Sequence, residues 1–199
     1  MSMQLFHQDI LFLQRLLRSA GFYQGKLDGI YGPKTSKAEE EFIFRTSTIE
    51  AGIGVLPNVA SETAIYSLHP EAQRAARKLY RECRKRSISI RIISGTRSYR
   101  EQDNLYAIGR SIKGTKVTNA KGGQSNHNFG IAFDIGVFEE GKYLVESPLY
   151  NTVGEIGKGL GLEWGGDWKT IKDRPHFQLK TGLGVSEVRR RFEAGEKFV

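Results

Sequence analysis

The sequence contains a single cysteine, Cys83, and no run of apolar residues long enough to cross a membrane. One cysteine excludes an internal disulfide and with it the class of small secreted scaffolds held together by disulfides. A membrane-spanning helix needs about 20 consecutive apolar residues. The first ten residues, MSMQLFHQDI, also lack the basic segment followed by an apolar one that marks a secretory leader. We therefore expect a protein made in the cytoplasm that reaches any extracellular target by another route.

Acidic residues are outnumbered only in the second part of the chain. The formal net charge of the 199 residues is +8. Residues 1–68 carry 6 basic against 7 acidic side chains, whereas residues 69–199 carry 24 against 15. The second part is therefore expected to attract anions, which include nucleic acid, anionic envelope polymers and acidic membrane surfaces. Charge alone does not choose between these partners.

Residues 1–68 have the pattern of three short helices. Apolar residues at Phe6, Ile10, Leu13 and Leu17 recur at helical spacing and predict a first helix that ends near Gly21. The following predicted elements are a helix from Thr35 to about Phe44, a loop from Gly52 to Asn58, and a third helix that Ser61 caps and that ends at Leu68. Three helices in 68 residues form a small bundle with little core of its own. We place a domain boundary after residue 68.

Residues 69–199 mix helices with strands. The predicted elements are a helix that begins at His69-Pro70, a strand over Ile88–Ser94, a helix entered at Ser98, a loop over Ser111–Asn126, a strand over Ile131–Phe138, a hairpin turn at Glu140-Gly141, a helix over Asn151–Leu160 and a strand over His176–Leu179. These elements do not repeat as βαβ units. The pattern therefore predicts an α+β domain with a central antiparallel sheet, preceded by the three-helix bundle.

Histidines are scarce, and two of the four lie in segments that look functional. His127 lies on a loop at the mouth of the predicted Ile131 strand, and Asp134 lies within that strand. In an extended strand, Asp134 shares a face with Ala132 and Gly136. A carboxylate among small residues in an apolar strand is costly to bury unless it is paired or bound to a cation. The segment therefore favours a bound cation at Asp134.

Asp173 and His176 form a second acid-histidine pair, three residues apart. Zinc hydrolases use three protein ligands, one open position for water and a carboxylate that takes a proton from that water. His127, Asp134 and His176 can supply the ligands, and Asp173 can supply the proton acceptor. A single such pair is more often an ordinary hydrogen-bonded group. Two pairs in one small basic domain favour a metal site.

The residues around both pairs resemble a known family. The pattern S-x-H-x-x-G-x-A-x-D is filled by Ser125, His127, Gly130, Ala132 and Asp134, D-x-P-H-F by Asp173, Pro175, His176 and Phe177, and SGTRS by residues 94–98. Over about residues 87–179 the chain is similar to the D-alanyl-D-alanine carboxypeptidase and L-alanyl-D-glutamate endopeptidase family of zinc peptidases, which includes many bacteriophage endolysins.

The resemblance implies a role for each matching residue. It implies that His127, Asp134 and His176 bind zinc and that Asp173 is the general base. It also implies that Arg97 lies beside the metal and stabilises the oxygen that becomes negative in the tetrahedral intermediate. Such an arginine is a charge-assisted donor directed at developing charge.

Other residues near these motifs have two interpretations. Glu163 is a rival base, but the family pattern favours Asp173. Ser125 and Gln102 are predicted to support the site and to contact the substrate, and a purely structural role is open for both. Trp164 and Trp168 are predicted to form part of the cleft wall or the core.

Residues 13–42 resemble the three-helix peptidoglycan-binding domain that is often attached to wall hydrolases. Its L-Q, G-Y-Y-x-G and D-G-x-Y-G-P-x-T patterns are represented by Leu13-Gln14, Gly21, Tyr23, Gly25, Asp28, Gly29, Tyr31, Gly32, Pro33 and Thr35. Ile43 departs from the family, in which glutamine commonly follows the phenylalanine. The resemblance implies that the turn binds peptidoglycan, with Asp28 and Tyr31 as contacts, while the same residues also fold the turn.

Two resemblances that point to one polymer predict a peptidoglycan peptidase, which we expect to be a monomeric phage endolysin acting on the wall after release. The first choice of bond is L-alanyl-D-glutamate, and a D,D-carboxypeptidase or endopeptidase, or a secreted antibacterial hydrolase, is the alternative. A noncatalytic wall-binding or phage structural protein is the alternative outside the enzymes. The basic tail at residues 189–191 is either a contact with an anionic envelope or membrane surface or a solvated helix face. Nucleic-acid binding is not expected, because the charge comes without a recognition motif.

Overall fold

The computed structural model describes residues 7–199, so Phe6 of the predicted first helix lies outside the described residues. The helices are α1 (His7–Ser19), α2 (Pro33–Ile53), α3 (Val59–Tyr66), α4 (Pro70–Lys85), α5 (Tyr99–Ala107), α6 (Leu149–Gly159) and α7 (Val185–Ala194). The strands are β1 (Ser89–Ser94), β2 (Ala132–Glu139), β3 (Lys142–Leu144), β4 (Leu162–Trp164) and β5 (His176–Leu179). The predicted α+β class is thereby confirmed. Among the helices of residues 7–199, none combines the length and the apolar character that crossing a membrane requires.

The described chain divides into two compact units, each built from stretches that are separate in sequence. The first unit contains the residues up to Arg45 together with Arg97–Phe129 and Gly182–Val199. The second unit contains Thr46–Thr96 and Gly130–Thr181. The domain boundary after residue 68 stays a prediction.

Aromatic side chains hold the first unit together. The ring of Phe12 on α1 lies 5.5 Å from that of Phe192 on α7 and 6.2 Å from that of Tyr99 on α5, measured between centroids. The ring of Phe129 lies 5.3 Å from the same Phe192. Because Phe129 ends the short 3-10 turn that carries His127, this packing fixes that turn. A second apolar cluster of this unit consists of Leu17, Tyr23, Ala38 and Phe42.

The second unit is built on an antiparallel sheet with the strand order β1-β2-β5-β4, in which β3 also pairs with β2. In the ladder of β2 and β5, Asp134 lies opposite His176. In the ladder of β4 and β5, Glu163 lies opposite Gln178. Residues that pair directly, or that lie two apart on one strand, share a face of the sheet. All four side chains therefore lie on the same face.

The other face of the sheet carries the core of the second unit. Phe133 and Ile135, which flank Asp134 on β2, are fully buried, as the predicted alternation requires. Phe133 stacks on Phe177 of β5 with ring centroids 5.9 Å apart. Helices α3, α4 and α6 cover this face with apolar side chains that include Ile65, Ala76, Leu79, Val153 and Ile156. The alternation along β2 thus separates an apolar face that stabilises the fold from a polar face that is available for chemistry.

Helix α2 is longer than predicted. It continues nine residues beyond Phe44 and ends at Ile53. The continuation is held by tertiary contacts: Ile49 is buried, and the hydroxyl of Thr46 accepts a hydrogen bond from Nε2 of Gln73 at 3.1 Å. The predicted end near Phe44 was therefore wrong, because packing against α4 extends a segment whose own sequence pattern is weak.

The predicted cap of the third helix was also wrong. Asn58 is the N-cap of α3, and its side-chain oxygen accepts a hydrogen bond from the backbone N–H of Ser61 at 2.9 Å. The Ser61 hydroxyl instead accepts a hydrogen bond from the backbone N–H of Ile92 on β1 at 3.1 Å. Asparagine caps helices as well as serine does, and it occurs earlier in this segment.

The lone cysteine offers a simple test of the fold. Cys83 on α4 is buried in the core of the second unit, and burial raises the pKa of its thiol to about 12. Since the thiolate is the reactive form, we expect no labelling by a thiol reagent in the folded protein at neutral pH and complete labelling in denaturant. Mass spectrometry of the labelled chain measures both. Rapid labelling without denaturant would contradict the placement of α4.

Candidate metal centre

The short turn Asn126–Phe129 positions His127. Within it, Asn128 is fully buried: its side-chain oxygen accepts from the backbone N–H of Gly123 at 2.9 Å, and its side-chain nitrogen donates to the carbonyl of Arg97 at 2.9 Å. The backbone N–H of Arg97 in turn donates to the carbonyl of His127 at 3.1 Å. Asn128 therefore joins two segments that carry predicted site residues. Asn128 was not predicted, because its one signal in the sequence is a polar residue at a position that the motif leaves unspecified.

The sheet positions the other two predicted ligands. Oδ1 of Asp134 lies 3.2 Å from Nδ1 of His176, as expected for side chains of directly opposed residues. The His176 side chain is 6% exposed and that of Asp134 is 20% exposed. Just before β2, Gly130 has a φ of 72°, a left-handed conformation that favours glycine. This explains why the motif has glycine between its histidine and its aspartate.

The structure brings the three predicted ligands together. One ligand atom from each of His127, Asp134 and His176 lies within 4.8 Å of the other two. Two imidazole nitrogens and one carboxylate oxygen form a donor set that catalytic zinc accepts, with a further position kept for water. The residues present therefore fit a zinc ion.

The charges around His176 favour a cation at this place. Burial by itself lowers the pKa of the His176 imidazole, because it disfavours the charged form. The hydrogen bond with Asp134 and the negative charges of Asp134 and Asp173 raise this pKa more strongly, so it lies above its ordinary value. A metal ion at the same place would meet the same favourable field.

Asp173 is attached to the metal-centre residues through its backbone. Its N–H donates to the carbonyl of Gly165 at 3.0 Å, and its carbonyl accepts from the N–H of His176 at 3.2 Å. A Cβ at position 165 would lie 2.5 Å from the Asp173 carbonyl oxygen, so glycine is needed for this approach. Together with its charge effect on His176, this geometry supports Asp173 as the general base, which stays a proposal.

The rival acid and the two tryptophans have distinct surroundings. Oε2 of Glu163, on β4, accepts a hydrogen bond from Nε2 of Gln178, on β5, at 2.7 Å. Trp164 is buried, and its indole N–H donates to the carbonyl of Arg174 at 2.8 Å. The ring of Trp168 is partly exposed and lies 4.9 Å from the His176 imidazole. Trp164 thus belongs to the core, and Trp168 lies against a predicted ligand.

The two predicted supporting residues, Ser125 and Gln102, form hydrogen bonds mainly with backbone groups. The Ser125 hydroxyl accepts from the N–H of His127 at 3.4 Å. Gln102 is fully buried, and its Nε2 donates to the carbonyl of Ala120 at 2.9 Å and to the Thr118 hydroxyl at 3.3 Å. These contacts favour positioning roles. The substrate contacts of Ser125 and Gln102 and the oxyanion role of half-buried Arg97 stay predictions.

The turn between α1 and α2 is organised by a buried glutamine. Gln14 donates through Nε2 to Oδ1 of Asp28 at 3.0 Å, and its Oε1 accepts from the backbone N–H groups of Asp28 and Gly29. The hydrogen bond from Gln14 lowers the pKa of Asp28 below its ordinary value. Tyr31 is exposed and donates through its hydroxyl to Glu39 at 2.6 Å. Asp28 and Tyr31 thus present polar groups on this turn, and their contact with peptidoglycan stays a prediction.

Comparison with known proteins agrees with both sequence resemblances. Residues 118–179 match a family model described as D-alanyl-D-alanine carboxypeptidase, and residues 6–42 match one described as putative peptidoglycan binding domain. The peptidoglycan L-alanyl-D-glutamate endopeptidase CwlK of Bacillus subtilis (strain 168) is 39% identical over 122 residues, which cover 56% of this chain and 73% of CwlK. The structure of the L-Ala D-Glu endopeptidase ChiX of Serratia marcescens matches with a TM-score of 0.52 at 26% identity, and the match covers 62% of this chain and 89% of the ChiX chain.

The match over residues 118–179 includes His127, Asp134 and His176. The ChiX structure shares the fold of a large part of the chain, and the identity with CwlK extends over most of that relative. The chain belongs to the D-alanyl-D-alanine carboxypeptidase and L-alanyl-D-glutamate endopeptidase family of peptidases.

Proposed function

We propose that this protein is a zinc-dependent peptidoglycan peptidase that hydrolyses the L-alanyl-D-glutamate bond of the wall stem peptide. The observation that carries this proposal is the convergence of His127, Asp134 and His176 in one group. Two of the similar proteins, CwlK and ChiX, are named as L-alanyl-D-glutamate endopeptidases. The match of residues 6–42 to a peptidoglycan-binding domain agrees with the same substrate.

Each site residue has a defined part in the hydrolysis. His127, Asp134 and His176 hold zinc, which when bound supplies a Lewis acid and lowers the pKa of a bound water towards about 7. Asp173 accepts a proton as the water oxygen bonds to the amide carbon, and it returns that proton to the nitrogen as the C–N bond breaks. Arg97 donates charge-assisted hydrogen bonds to the carbonyl oxygen as it becomes negative. Ser125 and Gln102 position the segments around His127, and Ser125 also contacts the peptide.

The front of the chain holds the enzyme on its polymer. Asp28 and Tyr31 contact peptidoglycan from the turn that Gln14 organises. Binding there raises the local concentration of stem peptides at the metal centre, because two linked sites act on one polymer. The excess of basic residues after position 68 adds attraction to anionic envelope material or to a membrane surface.

The proposal also includes the biological setting in which the protein acts. We infer a monomeric phage endolysin, made in the host cytoplasm and acting on the wall after release. Its support is the resemblance to a family that includes many endolysins, together with a wall-binding segment joined to a peptidase. A secreted antibacterial wall hydrolase has the same two parts and is the second candidate.

Mass spectrometry of digested muropeptides tests the proposed function. Purified peptidoglycan treated with the protein and zinc is expected to release fragments with a new amino terminus at D-glutamate, and none in the presence of a chelator. Release of terminal D-alanine would identify the D,D-alternative, which the description of the matched family model favours. Binding to the wall without any cleavage at saturating zinc would support the noncatalytic alternative instead.

A further inference from the structure

Three side chains form a row of hydrogen bonds that leads from the metal centre along the polar face of the sheet. Nε2 of His176 lies 3.0 Å from Oε1 of Gln178, and Nε2 of Gln178 donates to Oε2 of Glu163 at 2.7 Å. Gln178 lies two residues after His176 on β5 and opposite Glu163 on β4. All three side chains are half-buried or buried. Their positions on two paired strands therefore hold the three side chains in this arrangement.

The chemistry of the three groups determines which atom donates and which accepts in each of these hydrogen bonds. The Glu163 carboxylate is an acceptor, so the amide nitrogen of Gln178 must face it and the amide oxygen must face His176. An amide oxygen accepts, so Nε2 of the imidazole carries a proton when it contacts Gln178. When a metal is bound, Nδ1, which lies 3.2 Å from Oδ1 of Asp134, is then the nitrogen with a free lone pair. This is the nitrogen that a metal held by His176 and Asp134 requires.

We propose that Gln178 and Glu163 are positioning residues that fix the tautomer and ring orientation of His176 for metal binding. The proposal rests on the zinc-binding role proposed above for His176. Groups that accept the second N–H of a metal-bound histidine commonly change metal affinity by about 10- to 100-fold when they are removed. Glu163, weighed above as a rival base, thereby has a different role, because it orients the amide of Gln178.

Zinc affinity and the Nε2 proton of zinc-bound His176 together test the proposal. Gln178→Leu is expected to bind zinc about 10- to 100-fold more weakly in competition with a fluorescent chelator. In nitrogen-proton NMR spectra of the zinc-loaded protein, wild-type His176 is expected to show an Nε2–H that exchanges slowly with water, and the variant one that exchanges faster, because its acceptor has been removed. Lys180→Leu, an exposed position two residues further along, is the matched control and should change neither measurement.

Exchanging the two side chains keeps the test decisive even if Gln178→Leu does not fold. In the double variant Glu163→Gln/Gln178→Glu, a carboxylate accepts from His176 and an amide donates to that carboxylate, so affinity within about threefold of wild type is expected. Gln178→Glu alone places two carboxylates side by side and should bind zinc more weakly than the double variant. Wild-type zinc affinity and unchanged exchange of the Nε2 proton in Gln178→Leu, or no rescue in the double variant, would overturn the proposal. Because both properties are measured without peptidoglycan, they separate this failure from a failure of the proposed enzymatic function.

Discussion

Replacing Asp173 with asparagine is expected to lower peptidoglycan hydrolysis by about 10²- to 10⁴-fold while zinc stays bound, because a positioned general base contributes a factor of this size. Asparagine has nearly the shape of aspartate but does not take up a proton. The backbone N–H and carbonyl of this residue form hydrogen bonds with Gly165 and His176, and the substitution leaves these two bonds in place. The rate of muropeptide release at saturating zinc, together with the zinc content of the purified variant, measures both parts of the prediction.

A nearby aspartate provides the control. Asp167 is exposed and forms an ion pair with Lys158 at 3.0 Å, so Asp167→Asn removes one carboxylate from the same segment without touching the metal centre. It should leave the rate within about a factor of two, since exposed ion pairs contribute little. If Asp173→Asn retained wild-type activity, the assignment of Asp173 as the base would be wrong.

The same assay separates Asp173 from Glu163. If Glu163 only orients Gln178, Glu163→Gln weakens zinc binding, and excess zinc restores most of the rate. If Glu163 is the base, the rate stays low at any zinc concentration. The 2.7 Å contact from Gln178 to Glu163 favours the first result.

The metal centre could be predicted because its residues lie in short segments with strong local signals. Asp134 was detectable as a carboxylate in an apolar alternating strand, and its placement opposite His176 follows once β2 and β5 pair. His127 joined these two residues because a zinc hydrolase needs three such ligands, and the resemblance implied the same set. Residue types and their order were thus sufficient to identify three residues that the structure brings together.

The residues that position the ligands were not predictable in the same way. Asn128 acts by joining Gly123 and Arg97. Glu163 acts through Gln178 and lies on β4, a strand of three residues that is too short to show alternation. Hydrogen bonds between distant segments depend on strand register and loop path, which a single sequence does not specify. The extension of α2 to Ile53 has the same origin, since the buried contacts of its last turns lie on α4.

A buried arginine on α4 is predicted to have the largest effect on stability. Arg77 is fully buried, and both of its terminal nitrogens donate to the Glu62 carboxylate at 2.7 Å. It also donates to Glu50 at 3.1 Å and to the carbonyl of Gly54 at 3.0 Å. Arg77→Met leaves the two carboxylates without their shared cation, and we expect the free energy of unfolding to fall by about 3–5 kcal/mol. Urea denaturation followed by circular dichroism measures this change.

A second substitution distinguishes an unpaired charge from lost packing. Arg77→Met/Glu62→Leu removes the stranded carboxylate as well, and buried ion pairs replaced by apolar groups are often neutral in stability. The double variant should therefore recover part of the loss but not all of it. Glu50 still loses its hydrogen bond from Arg77, and the backbone N–H of Leu56 loses Glu62 as its acceptor. Arg81→Met, at an exposed position on the same helix that donates to the Ile53 carbonyl, should cost less than about 1 kcal/mol. Equal losses in the single and double variants would mean that packing around the arginine stem, rather than charge pairing, makes Arg77 essential to the second unit.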